Sequence, residues 1–226
     1  MKITYYGHSC FAVNAGAKTL LFDPFISPNP LADSVDVESV GADYVLLTHG
    51  HEDHVADAEA ILKRTGATLI ANFEVANWFE KRGIAKTHPM NHGGEATFDF
   101  GVVKAVSAIH SSSLPDGSYG GNPMGFVIST VDEVFYVSGD TALTYDMKLI
   151  DDEFRLDWAA LCIGDNFTMG IADAVRAADF VGVRTVLGLH YDTFPPIQID
   201  HGKAKAMFHA SEKELVLPAI GSTIDL

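Results

Sequence analysis

Cysteine and basic residues are both scarce in this chain, and each shortage argues against a class of protein. The two cysteines, Cys10 and Cys162, are too few for a disulfide framework, so we expect buried free thiols and a cytoplasmic protein. Lysine and arginine total 15 against 30 acidic residues, which gives a formal charge of −15. A field of that sign repels phosphate backbones, so we expect a small-molecule substrate and no nucleic-acid partner.

The sequence also lacks long apolar runs and two common catalytic motifs. No stretch of about 18 apolar residues occurs, so we expect no membrane span, and the polar start MKITYYGHSC does not resemble a signal peptide. Neither Gly-x-Ser-x-Gly nor Gly-x-x-x-x-Gly-Lys-Ser/Thr occurs, which argues against a serine hydrolase and a phosphate-binding loop.

What the sequence does contain is a globular α/β pattern. Hydrophobic residues make up 47% and charged residues 20% of 226 residues, which predicts one domain over residues 1–226 and leaves a homo-oligomer open. Predicted strands lie at 2–6, 10–14, 19–22, 44–47, 68–71, 96–100, 102–109, 125–130, 134–138, 158–163, 185–189 and 214–217. Predicted helices lie at 55–66, 73–82, 143–150, 173–181 and 203–209. Both halves begin with strands and end with β–α units, which predicts two β-sheets packed face to face with helices outside.

The strongest chemical signal is His49-x-His51-x-Asp53-His54, directly after a buried strand and at the start of a helix. Imidazole and carboxylate groups are good ligands for zinc and for Mn²⁺, Fe²⁺ or Ni²⁺. Four donors so close together crowd a single tetrahedral ion. A tight turn would instead direct His49 and His51 to one ion, and Asp53 and His54 to its neighbour.

Three further donors stand where predicted strands end: His110, Asp140 and His190. Strand ends on one edge of a sheet can converge, so we expect these residues to join the first four. Five histidines and two aspartates then make two sites, with room for the water that catalysis requires. A lone histidine at a strand end is more often structural, and an exposed 49–54 cluster on a helix cap is the other alternative.

The pattern resembles the metallo-β-lactamase superfamily over essentially the whole chain. The residues that carry the resemblance are the first motif, His110, Gly139-Asp140-Thr141 and His190, together with Gly7-His8-Ser9, Leu21-Phe22-Asp23-Pro24, Asn166-Phe167-Thr168-Met169-Gly170 and His190-Tyr191-Asp192-Thr193-Phe194-Pro195. They are similar to a branch of metal-dependent hydrolases of unassigned substrate, itself similar to L-ascorbate-6-phosphate lactonases and N-acyl-phosphatidylethanolamine phospholipase D enzymes.

The resemblance implies a four-layer αβ/βα sandwich that holds two divalent metal ions, with zinc expected. It implies two ligand sets that share one carboxylate: His49, His51 and His110 for one ion, Asp53, His54 and His190 for the other, and Asp140 bridging both. Two such ions would lower the pKa of a bound water to about 7 and polarise the substrate oxygen. We therefore predict a metal-dependent hydrolase that cleaves a small ester, lactone or phosphoester. The positive charge of the metal site could attract an anionic substrate.

Supporting roles are predicted for residues near these ligands. Asp53 would orient the hydroxide, and His8 is the candidate proton donor, with a structural role the equal alternative. Asp23 would accept a hydrogen bond from a ligand histidine or cap the turn before Pro24.

Other features near the predicted site leave alternatives open. Thr168 and Met169 are expected to shape the pocket. The glycine-rich loop at 111–123 would be a mobile lid or an ordinary connection, and the role of Asp165 is open because the family pattern favours a small residue there.

Two other functions share this sequence pattern. In di-iron redox members of the superfamily a glutamate typically replaces the second histidine of the first motif, and here that position is His51. The second alternative is a non-catalytic protein that binds a metal or ligand. The complete set of donors favours hydrolysis over both.

Overall fold

The structure is a computed structural model that describes residues 1–226 as strands and short helices. The strands are β1 (Lys2–Gly7), β2 (Cys10–Ala15), β3 (Lys18–Phe22), β4 (Tyr44–Leu46), β5 (Thr68–Asn72), β6 (Thr87–Met90), β7 (Glu95–Phe98), β8 (Gly101–Ser107), β9 (Met124–Ser129), β10 (Val134–Val137), β11 (Trp158–Cys162), β12 (Thr185–Leu189), β13 (Glu214–Val216) and β14 (Thr223–Asp225). The helices are α1 (Glu52–Val55), α2 (Ala58–Thr65), α3 (Phe73–Glu80), α4 (Met147–Glu153), α5 (Ile171–Phe180) and α6 (His201–Ala210). None of them has the length and apolar character needed to cross a membrane.

The strands form two seven-stranded sheets with the same internal plan. One sheet has the order β14-β1-β2-β3-β4-β5-β6, and the other has the order β13-β12-β11-β10-β9-β8-β7. In each sheet, one part is antiparallel and the other is parallel: β3 to β6 run parallel in the first, and β10 to β13 in the second. Parallel strands place their carboxyl ends on one edge, where open α/β sheets bind ligands.

Alternating side chains show how the layers stack. In β2, Phe11 and Val13 belong to the core cluster of 42 residues shared with the second sheet, whereas Cys10 and Ala12 belong to a separate cluster of 20 residues with α2 and α3. This period of two is the ordinary geometry of a strand that is buried on both faces. The second sheet packs its other face against α5 and α6. The predicted four-layer αβ/βα sandwich, with two sheets flanked by outer helices, is confirmed.

Two edge strands, β6 and β14, were not predicted from the sequence. β6 pairs parallel with β5 and contains Pro89, which cannot donate a ladder hydrogen bond. β14 pairs antiparallel with β1 at the opposite edge of the same sheet, and its residues are mostly exposed. Both strands are short and lack an apolar face, so their pairing with the neighbouring strand is what defines them.

Two helix predictions differ from the structure. The helix expected after the first motif is two helices, because Asp57 stands between α1 and α2 and its carboxylate accepts hydrogen bonds from the backbone of Ile26 and Ser27. Gly66 ends α2 as predicted, with a φ of 68°. α4 begins at Met147 instead of residue 143, since the preceding backbone is held to the site, where Ala142 N–H donates to Ile109.

The 111–123 loop is anchored along its length. Asn72 donates side-chain hydrogen bonds to the carbonyls of Gly120 and Asn122, and the Trp78 indole donates to Asp116. Leu114 is buried in the outer core cluster. These contacts fit an ordered connection better than a mobile lid.

Close packing of the ends of β11 and β12 leaves no room for a side chain at Gly164, which can be tested by substitution. A Cβ atom at this position would lie 2.0 Å from the carbonyl oxygen of His190, which follows β12. We expect Gly164→Ala to force these strand ends apart and to lower the free energy of unfolding by about 1–3 kcal/mol. Urea denaturation measures this. Gly41→Ala is the control, since no atom lies within 4 Å of a Cβ there; equal stabilities of the two variants would contradict the expectation.

Candidate metal centre

The seven predicted donors come from turns that follow four different strands, and the structure brings all of them together. His49, His51, Asp53 and His54 follow β4 of the first sheet, while His110, Asp140 and His190 follow β8, β10 and β12 of the second. Two hydrogen bonds hold the turns of His110 and Asp140 side by side: Ile109 N–H donates to the hydroxyl oxygen of Thr141, and Ala142 N–H donates to the carbonyl of Ile109. His110 is thereby fixed next to Asp140 before any ligand binds.

Asp140 stands at the centre of the cluster. Its Oδ2 atom faces the Nε2 atoms of four histidines, at 3.0 Å from His190, 3.4 Å from His54, 3.5 Å from His110 and 4.0 Å from His49. The carboxylate is buried, and its Oδ1 atom has no hydrogen-bond partner. One oxygen therefore lies within reach of donors from both sheets.

Three groups of donors have ligand atoms close together, and one of them, His49, His54 and Asp140, joins the other two. His49, His51 and His110 offer ligand atoms that all lie within 4.8 Å of one another, and so do Asp53, His54 and His190 together with His8. In the first group, His49 Nε2 lies 3.0 Å from His51 Nδ1. These are the two sets that the family resemblance implies, and each is compact enough for one ion.

Asp23 positions two histidines of the cluster, His54 directly and His49 through Thr48. Its buried carboxylate accepts hydrogen bonds from Thr48 N–H at 2.8 Å, from Thr48 Oγ1 at 2.7 Å and from His54 Nδ1 at 2.8 Å. Thr48 Oγ1 also lies 3.0 Å from His49 Nδ1. Since its proton goes to Asp23, this hydroxyl accepts from His49. Of the two predicted roles of Asp23, the geometry supports the bond to a ligand histidine.

These bonds decide which ring nitrogens are free. A carboxylate only accepts, so His54 Nδ1 carries the proton, and in the neutral ring Nε2 offers a lone pair. That Nε2 atom is buried without a hydrogen-bond partner, as is Asp140 Oδ1. Unpartnered buried acceptors are costly. A divalent cation would satisfy them, so the donor set fits a metal.

The electrostatics of the cluster lead to the same conclusion. Burial lowers the pKa values of His54 and His190, but the facing carboxylates together outweigh it: Asp140 and Asp23 raise the pKa of His54 well above its ordinary value, and Asp140 and Asp53 raise that of His190 to about 9. Burial likewise opposes ionisation of Asp140, yet the facing His190 and His54 hold its pKa well below normal. Without metal, protons thus balance the buried carboxylate charge, and a cation would replace them.

The remaining members of the cluster titrate differently. Burial lowers the pKa of His49 well below its usual value, and that of His51 and His110 to a smaller extent. For Asp53, burial is outweighed by His190 and His8, so its pKa is lowered. The first group therefore favours neutral imidazoles, the form that binds metal.

His8 lies directly behind Asp53. Its side chain is fully buried, with Nε2 3.2 Å from Asp53 Oδ2 and Nδ1 2.9 Å from Thr193 Oγ1. Its ring lies 4.2 Å from that of His190, measured between centroids. Burial lowers the pKa of His8 to about 4, so the ring is neutral and its Nε2–H donates to Asp53. Thr193, which supports it, was not identified from the sequence.

Backbone conformation at the site is unusual. His8, Asp23 and His190 have φ values of 54°, 40° and 56°, in the left-handed region that non-glycine residues seldom adopt. The backbone N–H of His190 donates to the carbonyl of His8, which links the two sheets. Such conformations concentrate at functional sites because the surrounding structure enforces them.

A cavity of about 250 Å³ opens onto the cluster. It is lined by His51, Asp53, His110, Ser111, Asp140, Phe167, His190 and Phe194. Thr168 and Met169, which were expected to shape the pocket, are not among the residues that line it. Met169 is buried, with its N–H bonded to Thr141, and the neighbouring Phe167 forms the wall instead.

Asp165, whose role the sequence leaves open, and His92, which follows β6, lie outside the cavity lining. Asp165 adopts a φ of 63° and accepts a hydrogen bond from the backbone of Asn166, so it shapes the turn that precedes α5. His92 Nε2 is hydrogen-bonded to the carbonyl of Pro123. Neither belongs to the seven-donor cluster.

Comparison with known proteins identifies relatives of the whole chain. Residues 18–191 match the model of a family described as the beta-lactamase superfamily domain. A UPF0173 metal-dependent hydrolase of Christiangramia forsetii is 55% identical over the full length of both chains, and one of Flavobacterium johnsoniae is 52% identical, also over both full lengths. Among solved structures, Igni18, a metallo hydrolase from the archaeon Ignicoccus hospitalis, is 32% identical with a TM-score of 0.89, covering 99% of this chain and 97% of that one.

The hydrogen bonds of Asp23 lead to a prediction that requires no substrate. Asp23→Asn places an amide where three donors converge, so we expect a loss of about 1–3 kcal/mol in unfolding free energy. We also expect zinc affinity to fall about 10–100-fold, because His54 loses its fixed orientation. Denaturation of the metal-free protein and competition with a chelator measure the two effects. Asp43→Asn, which alters an exposed acceptor of the Thr19 N–H, is the control; unchanged affinity in Asp23→Asn would contradict this role.

Proposed function

The chain belongs to the β-lactamase superfamily and to the UPF0173 metal-dependent hydrolases, and we propose that it uses two divalent metal ions to hydrolyse a small ester, lactone or phosphoester. The observation that carries the proposal is the position of Asp140, whose Oδ2 atom lies within 4.0 Å of histidines from both donor groups. A shared carboxylate between two compact groups is the arrangement that a pair of neighbouring cations requires.

We assign one set of ligands to each ion. The first is His49, His51 and His110, the second is Asp53, His54 and His190, and Asp140 serves both. Zinc is the expected metal because nitrogen-rich sites with few carboxylates suit it, with manganese, iron and nickel also compatible. When bound, such ions act as Lewis acids that activate water and polarise a carbonyl or phosphoryl oxygen.

The chain's own residues orient the reactants. Asp53 lines the cavity with its side chain 27% exposed, so its carboxylate can accept a hydrogen bond from the attacking water. In the reaction, the hydroxyl of water would join the acyl carbon or phosphorus, the bond from that atom to the leaving oxygen would break, and the remaining proton of the water would go to the leaving oxygen. His51 and His110 line the same cavity and leave one side of the cluster open to substrate.

His8 fits a positioning role better than that of a proton donor. Its side chain is fully buried, and its Nε2–H is committed to Asp53. The ring is enclosed by Phe25 and Phe194, with centroids 5.5 Å away in both cases. A group so placed holds Asp53 in orientation and does not contact a leaving group in the cavity.

The proposal predicts both metal content and metal dependence. Purified protein should contain about two equivalents of divalent metal per chain by elemental analysis. Removal of the metal with a chelator should abolish hydrolysis of 4-nitrophenyl acetate, a lactone and a phosphodiester, because the Lewis acid that activates water is lost. Restoring zinc should recover it.

Three outcomes would count against this proposal. Hydrolysis that survives in metal-free protein would reject the mechanism. Iron with a visible absorption band would favour the redox alternative, and tight metal binding without turnover on any substrate would favour a non-catalytic binding protein. His201→Ala is a suitable control, since His201 is half-exposed and paired with Asp192 outside the cavity, and it should keep both metals.

The role of His8 can be tested by two substitutions at the same position. His8→Gln keeps an N–H group that can reach Asp53, whereas His8→Ala removes it. Both carry the same cost of a positive φ, so their difference reports on the hydrogen bond. We expect His8→Ala to lower zinc affinity at the Asp53 site about 10–100-fold and to change kcat more than KM. His8→Gln should recover part of the zinc affinity and part of kcat. Calorimetric zinc titration and steady-state kinetics measure this; equal defects in the two variants would contradict it.

A further inference from the structure

The wall of the site cavity contrasts with its floor. The floor consists of metal-ligand candidates, whereas the wall contains two phenylalanines and one serine: Phe167, Phe194 and Ser111. No lysine or arginine lines the cavity. The wall therefore offers an apolar surface and a hydroxyl to whatever part of a substrate extends beyond the reacting bond.

Phe167 is held at the tip of a tight loop. Asp165 and Asn166 precede it with φ values of 63° and 54°, a conformation that aspartate and asparagine tolerate better than most residues. Below the tip, Gly164 and Gly170 form an isolated bridge, and Met169 N–H donates to Thr141, the neighbour of Asp140. A rigid loop thus presents a phenylalanine that remains 54% exposed beside the cluster.

Phe194 forms the other part of the wall and is held independently. It follows His190 in the loop after β12, and the 3-10 turn Pro195–Ile197 comes directly after it. Its ring packs against His8 at 5.5 Å and Phe25 at 6.2 Å, centroid to centroid. The two phenylalanines come from separate loops, so the apolar wall is composite.

Charge around the cavity disfavours a second anionic group on the substrate. The only charged side chains in the lining besides histidines are Asp53 and Asp140, and the whole chain has a formal charge of −15. Cations held by Asp53 and Asp140 act on the reacting oxygen, so no positive group remains for a remote carboxylate or phosphate. Recognition of such groups ordinarily uses arginine or lysine.

We propose that Phe167 and Phe194 select substrates whose group beside the scissile bond is uncharged and apolar. The inference rests on the proposed hydrolase function and narrows its substrate class, away from compounds with a remote anionic group. A cavity of about 250 Å³ suits a compact aryl or short alkyl group. The aromatic rings would pack on its face or edge, as paired aromatic side chains do in protein cores.

The first experiment measures binding and needs no turnover. Benzohydroxamate and acetohydroxamate carry the same chelating group and differ only in phenyl against methyl. In zinc-loaded protein, we expect calorimetry to show about tenfold tighter binding of benzohydroxamate. Phe167→Ala should reduce this preference to about twofold. The matched control is Phe73→Ala, since Phe73 is also 54% exposed but lies outside the cavity lining.

The second experiment measures hydrolysis by proton release. Methyl butyrate and monomethyl succinate share the leaving group and nearly the same shape, and differ in a terminal methyl against a carboxylate. We expect kcat/KM to favour methyl butyrate about tenfold, and Phe167→Ala to reduce that ratio. Because Phe167 is largely exposed, this variant should keep the melting temperature of the parent.

The two experiments separate the two proposals. If neither ester is cleaved, and 4-nitrophenyl acetate, the lactone and the phosphodiester are not cleaved either, the hydrolase function fails. The apolar preference of the cavity still stands in that case if benzohydroxamate is preferred and Phe167→Ala removes the preference. If esters are cleaved but monomethyl succinate is cleaved as well as methyl butyrate, the substrate class is overturned and the hydrolase function stands. A Phe167→Ala variant that behaves like Phe73→Ala in both experiments would also overturn it.

Discussion

The structure depends on neutralising two carboxylates buried where the sheets meet. Asp140 and Asp23 are each about 2% exposed, and an unpaired buried charge costs several kcal/mol. Asp23 is satisfied by three hydrogen bonds, so it is a fixed anchor for Thr48 and His54. Asp140 has one oxygen facing four histidines and the other unpartnered. The two acids therefore differ: Asp23 has hydrogen-bond partners that fix it in a supporting role, whereas Asp140 keeps one oxygen unpartnered at the centre of the donor cluster.

The shared plan of the two sheets explains why the donors converge. Each sheet changes from antiparallel to parallel pairing, and the parallel strands of both sheets end at the same edge of the sandwich. The bond from His190 N–H to the His8 carbonyl ties the first sheet's β1–β2 turn to the end of β12. Positive φ values at His8, Asp23 and His190 are the local cost of bringing these turns together, and packing of both sheets enforces them. The cluster is therefore preorganised, because the unfavourable backbone conformations are already adopted in the folded chain.

Sequence reasoning worked where information was local. The first motif supplies its donors within one turn, and His110, Asp140 and His190 each follow a recognisable apolar strand, so the cluster could be predicted without coordinates. It failed where a tertiary contact decides the outcome. β14 is a strand only because β1 is beside it, α1 and α2 separate because Asp57 binds a distant loop, and Thr193 matters only through His8. Location in the cell, the single domain and the lack of a nucleic-acid partner remain predictions.

The proposed pair of cations is chemically permissive, so substrate choice would have to come from the side chains around it. In this chain, one loop carries both a proposed metal ligand and a residue of the cavity wall. The loop after β12 supplies His190 and Phe194, and Phe194 also packs against His8, which supports Asp53. Changes at Phe194 would therefore alter the apolar wall and the orientation of a ligand together. Phe167 stands on a loop that contributes none of the proposed ligands and is held by hydrogen bonds of its own backbone and of the Asp165 and Thr168 side chains. In the proposed hydrolase, substrate preference could thus vary at Phe167 without disturbing the proposed metal ligands, whereas Phe194 is constrained both as part of the wall and as a contact of His8.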